Sequence, residues 1–242
     1  MSYASSNPYR DFGMAAAQAP ANERATFIRA TYAHLLGAVL AFIGIEVALF
    51  QTGAAERLFE LIRGAGSIAM LVVLVGFMAV TWMANSWANS SASRGMQYAG
   101  LGLYVVAEAL IFAPILYIAQ HMGQSSVIPT AAIITGIVFL GLTAVVFVSG
   151  ADFSFLRGAL AIGGLVAIGT VICGMIFQWD LGVFFSGAMI LLASGYILYD
   201  TSNVLHRYRV DQYVAASLAL FASVALLFYY VLRLLMELNR RD

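Results

Sequence analysis

Apolar residues along this chain come in seven near-continuous blocks separated by short polar breaks. The blocks lie at about 30–50, 67–84, 97–119, 127–149, 156–178, 181–199 and 213–236. A hydrocarbon layer about 30 Å thick needs roughly 20 apolar residues per crossing helix. Backbone polar groups in lipid must bond within their own segment, so such blocks are helices. The pattern predicts an all-α membrane protein with seven transmembrane helices. Residues 1–29 are polar and Ala-rich with no apolar core, which predicts a flexible N-terminal tail rather than a signal peptide. Residues 30–238 form the membrane domain.

The breaks carry information of their own. The first, "QTGAAERLFELIRGAG", mixes Glu56, Arg57, Glu60 and Arg63 with Leu58, Phe59, Leu61 and Ile62, the pattern of a short interfacial helix. Blocks five and six are separated by little more than Gln178, Trp179 and Asp180, so they pair antiparallel. Within block five, Gly163 precedes Ala167 by four residues, Gly169 precedes Cys173 and Thr170 precedes Gly174. Small residues at that spacing let helix backbones approach closely, here read as packing within the bundle.

Composition sharpens the picture. The 242 residues are 62% hydrophobic and 10% charged, whereas a soluble domain is about 45–50% apolar and about 25% charged. Net charge is zero, so no basic face points to nucleic acid. All twelve basic residues are Arg, which excludes Lys-based covalent chemistry. Cys173 is the single cysteine, so there is no disulfide framework. Arg10, Arg24, Arg29, Arg94, Arg157, Arg207 and Arg209 fall on the N-terminal side of the seven crossings, which places the N-terminus in the cytoplasm. Arg57 and Arg63 oppose that orientation, and Arg233, Arg240 and Arg241 leave the side of the C-terminus open.

Ionisable groups inside spans are costly and mark functional sites. Three acids qualify: Glu46, Glu108 and Asp200. Glu46, near the end of block one, reads equally as an interfacial or a buried carboxylate. Glu108 lies midway along block three, with Pro114 six residues on, where proline frees a carbonyl and predicts a kink. Asp200 stands where block six ends, followed by Thr201, Ser202 and Asn203. A carboxylate at a helix C-terminus is electrostatically unfavourable. That calls for a cation, and Arg207, Arg209 and Arg233 are the candidate ion-pair partners. His34, His121 and His206 show no metal spacing. Neither a serine-protease pattern nor the paired carboxylates of an aspartic protease is present, so no catalytic residue is assigned and the protein is expected not to be an enzyme.

The C-terminal third is more specific. "GYILYDTSNVLHRYRVDQYVAASLALFASVALLFYYVLRLL" resembles the Bax inhibitor-1 family, the transmembrane Bax-inhibitor-motif proteins. "TFIRATYAHLLGAVLAF" and "ADFSFLRGAL" resemble the same family at its first span and before its fifth, and "AEALIFAPIL" resembles its third span. Within the family, "YDTSNVLH" looks most like the bacterial YccA-like branch. The resemblance implies six spans wrapped around a central C-terminal helix. It also implies residence in the bacterial inner membrane and a non-enzymatic role as a modulator or partner of the membrane protease FtsH in membrane protein quality control. The alternative that it implies is a pH-sensitive calcium (Ca2+) or proton leak channel centred on Asp200, for which the family uses a pair of aspartates. Asp200 matches the first. The second falls at Ser223, which leaves one acid with a hydroxyl that can donate to it. Calcium prefers several oxygens and more than one carboxylate, so no cofactor is required, and Glu46 or Glu108 would have to supply the missing acid.

Overall fold

The computed structural model describes residues 14–90, 93–121 and 126–240. Seven helices follow one another: α1 (Ala21–Gln51), α2 (Ala54–Ala88), α3 (Arg94–His121), α4 (Val127–Ser149), α5 (Leu156–Phe177), α6 (Gly182–His206) and α7 (Tyr213–Asn239). Single 3-10 turns lie at Ala16–Gln18 and Phe153–Phe155. Each of the seven carries a stretch long and apolar enough to cross a membrane; in α2 it is Met70–Ala88. The protein is an all-α, seven-span membrane protein.

Three boundaries depart from the hydropathy reading. α1 starts at Ala21, directly after Pro20, so residues 21–29 are helix rather than tail. Proline has no N–H to leave unbonded at a helix start, and Glu23 in the first turn complements the positive end of the helix dipole. The expected tail over residues 1–13 lies outside the described residues. α2 begins at Ala54 and joins the charged segment to the second span across a break at Gly66, whose φ of 68° and ψ of −170° suit glycine alone. α6 runs to His206 rather than 199, and its polar residues Thr201, Ser202 and Asn203 are buried. α3 passes through Pro114 without interruption.

α7 is the most deeply placed helix. In its most apolar stretch 67% of residues are buried, against at most 39% in any other span. It packs against α1, α2, α3, α4 and α6. Its apolar run is broken by the buried Ser217 and Ser223 and by the Arg233–Glu237 pair near its end. Its first half joins a core with Phe27, Leu35 and Tyr104, and its second half joins one with Phe112 and Ile197. Phe112 stacks on Phe228 with ring centroids 5.6 Å apart and meets Phe42 edge-on at 5.2 Å. In lipid, such van der Waals packing rather than water exclusion holds helices together. The outer faces present Leu36, Leu40, Val148 and Phe184 to the bilayer.

The small residues of α5 serve mainly the bundle. A Cβ added at Gly163 would lie 2.7 Å from Leu192, and one at Gly174 would lie 3.3 Å from Leu181. α5 thus accepts side chains from α6 and the turn before it, while Gly169 faces open space.

Candidate functional site

α6 and α7 are joined by the short 207–212 connection and fold back as an antiparallel hairpin. That brings Ser223 of α7 opposite Asp200 of α6 although 23 residues separate them. The Ser223 hydroxyl donates to Asp200 Oδ2 at 2.5 Å. Ser223 is buried and Asp200 is partly buried. Asp200 lies six residues before the end of α6, about 9 Å along the axis. It is inside a helix, not at its terminus.

α3 packs beside α7. Tyr104 and Glu108 are buried one turn apart on α3, close to each other. The Tyr104 ring meets Phe221 edge-on at 6.1 Å, two residues before Ser223 on α7. Asp200 and Ser223 pair across α6 and α7, and Tyr104 and Glu108 lie on the neighbouring α3, with no hydrogen bond joining the two pairs among the described residues. The hydroxyls of Thr201 on α6, Tyr32 on α1 and Thr143 on α4 lie near one another, each buried and without a hydrogen-bond partner among the described residues.

Glu46 stands apart. It is 6% exposed, and neither carboxylate oxygen has a hydrogen-bond partner among the described residues. It is buried rather than interfacial, and nothing links it to Asp200.

The arginines expected to pair with Asp200 go elsewhere. Arg209 binds Asp211 at 2.5 Å. Arg233 binds Glu237 at 2.9 Å, and Glu237 also accepts from Ser186 at 3.1 Å near the far end of the bundle. Arg207 acts on Asp152. Proximity in sequence misled because α6 continues past Asp200 and carries the connection beyond it. Outside the spans, Asp152 is held below its ordinary value of 3.8 by hydrogen bonds from Ser154, with Arg207 and His206 adding. Asp211 is held low by its bond from Arg209. Burial pushes the Tyr208 phenol up, and the nearby Asp200 charge pushes it further.

Ser202, two residues after Asp200, faces away from Ser223 and fastens the end of α6. Its hydroxyl accepts from the Phe153 N–H at 2.9 Å, while Asp152 caps the adjoining 3-10 turn through the Ser154 N–H at 2.9 Å. The two stretches "ADFSF" and "YDTSN" thus dock on each other. Ser202→Ala strands the Phe153 donor, and thermal unfolding in detergent should show a loss of about 1–3 kcal/mol; unchanged unfolding would contradict this. The Asp152 contribution is present above its unfolded value and is lost as pH falls through its lower folded value. Acidification below about pH 4 should then weaken the wild-type junction and leave Asp152→Asn less affected.

A strap closes the same end. Ala15 pairs antiparallel with Arg209, and the Ala16 N–H donates to the Tyr208 carbonyl at 2.8 Å. Residues 14–18 therefore lie across the connection between α6 and α7.

Asp200 and Ser223 offer one carboxylate and one hydroxyl, where calcium takes about 6–8 oxygens. Among the described residues no three of His, Cys, Asp and Glu come together as metal ligands. Tyr104 and Tyr32 escaped the sequence reading. Tyr104 had a signal, its four-residue spacing from Glu108; Tyr32 had none.

Comparison with known proteins places the chain among relatives. The family model described as inhibitor of apoptosis-promoting Bax1 matches residues 24–241. The chain is 30% identical to the modulator of FtsH protease YccA of Escherichia coli, over 86% of this chain and 88% of YccA. It is 32% identical to an uncharacterized protein of Pseudomonas aeruginosa, over 68% of this chain and 73% of that one. Protein LIFEGUARD 3 of Arabidopsis thaliana is 27% identical over 88% of this chain and 85% of its own length.

Proposed function

Because this chain belongs to the Bax inhibitor-1 family, we propose that it is a non-enzymatic modulator of the membrane protease FtsH, embedded in a bacterial cytoplasmic membrane with its N-terminus in the cytoplasm. The observation that carries this reading is the similarity to YccA, which extends over 88% of that protein's length. The polar site is consistent with it. One acid is held by a serine hydroxyl where a conducting member would carry two acids. Co-purification tests the reading. FtsH should be retained with the full chain from cross-linked membranes, and deleting residues 1–13, which leaves every described contact in place, should reduce retention. Absence of FtsH from the cross-linked material would overturn it.

A second reading, a proton-sensitive cation leak, draws on Asp200, paired with Ser223, and on the buried Glu108. Calcium-loaded vesicles holding the wild-type chain would then leak in a pH-dependent way, and Asp200→Asn would abolish the leak. Flux equal to that of empty vesicles excludes it.

A further inference from the structure

α1 and α3 leave between them a groove of about 430 Å³ that opens toward the bilayer. Its floor is made of small residues, Ala33, Gly37 and Ala41 from α1 and Gly102 from α3. A Cβ added at Gly37 or Gly102 would meet nothing within 4 Å. Neither glycine is needed to let helices approach; their effect is to keep the groove open. Leu36 and Leu40 stand exposed beside it on α1, and Val106 on α3.

One end of the groove is polar. His34 bonds the Ala30 carbonyl through Nδ1 at 2.7 Å, which turns Nε2 toward the Tyr98 hydroxyl at 3.0 Å. Both residues line the groove. Tyr98 lies 3.4 Å from the Tyr213 hydroxyl, which also accepts from Arg94 at 3.4 Å. Arg94, one turn before Tyr98, is exposed and its guanidinium sits 5.9 Å over the Tyr213 ring. It has no ion pair among the described residues, because the nearby Asp211 is bound by Arg209.

We propose that this groove binds an anionic phospholipid, with an acyl chain along the small-residue floor and the phosphate at Arg94 beside His34 and Tyr98. Packed helices stand about 8–10 Å apart. A groove between neighbours therefore admits an extended chain, whereas an α-helix about 10 Å across can only ride over its rim. Guanidinium groups match phosphate oxygens in a two-pronged fit. Basic groups between spans at the membrane surface select acidic headgroups. The inference is independent of the FtsH reading.

Native mass spectrometry of the full chain, after exchange into vesicles of phosphatidylglycerol and phosphatidylcholine in equal amounts, tests it. The wild type should retain phosphatidylglycerol in preference. Arg94→Gln, an exposed change, should lower that preference about tenfold, and the Gly37→Leu/Gly102→Leu double variant should lose retention of both lipids. Equal retention of the two lipids by the wild type overturns the proposal, as does unchanged retention in Arg94→Gln. If the double variant keeps its lipid but loses self-association or FtsH, the groove docks a helix and the lipid assignment is wrong.

Discussion

Ser223→Asp is expected to produce a pH-dependent calcium leak in loaded vesicles that the wild type lacks, because two adjacent carboxylates titrate as a coupled pair. The Ser223 hydroxyl already lies 2.5 Å from Asp200 Oδ2. An Asp at that position places a second carboxylate against the first, and groups so close titrate as a pair. Tyr104 and Glu108 lie on the neighbouring α3. The control Ser223→Ala removes the donor without adding an acid and should leave flux at the wild-type level. A Ser223→Asp protein that folds and fluxes like the wild type would show that a second carboxylate beside Asp200 is not sufficient for conduction.

Gly100→Leu is expected to unfold the contact between α2 and α3. A Cβ at Gly100 would lie 2.5 Å from the Ala84 carbonyl oxygen, 2.7 Å from the Ala88 nitrogen and 3.0 Å from Trp87 Cβ. Two of these are backbone atoms, which cannot rotate away. Even Gly100→Ala must push the helices apart, at a cost of about 1–3 kcal/mol, and the leucine side chain adds to that. The damage reaches the site because Tyr104 is one turn further along α3. The size-exclusion profile and thermal unfolding of Gly100→Leu in detergent should show loss of the folded form, with Gly100→Ala intermediate. Wild-type stability in both variants would contradict the close approach. Gly37→Leu makes the contrast, because a Cβ there meets nothing.

The seven spans were legible because each needs only length and apolarity, and those are properties of one segment at a time. What hydropathy could not show is where polar residues continue a helix. At the end of α6, Thr201, Ser202 and Asn203 are buried against other elements, and a hydropathy count cannot separate that from exposure. The same blindness placed Asp200 at a terminus and sent Arg207 and Arg209 to it. The position of Ser223 was legible only through the family stretch around it; no periodicity singles out one serine of α7. Tyr104 could have been found only through its four-residue spacing from Glu108 on α3. The strap over residues 14–18 is invisible for a different reason: it is held by backbone hydrogen bonds, which leave no side-chain pattern.

The most direct test is reconstitution of FtsH in vesicles with a fluorescent membrane substrate, with and without this chain. The expected result is slower substrate degradation when the full chain is present, and recovery of the rate when the chain lacks residues 1–13. Substrate degradation at the same rate with and without the full chain, under conditions where both proteins are inserted, would contradict the FtsH reading.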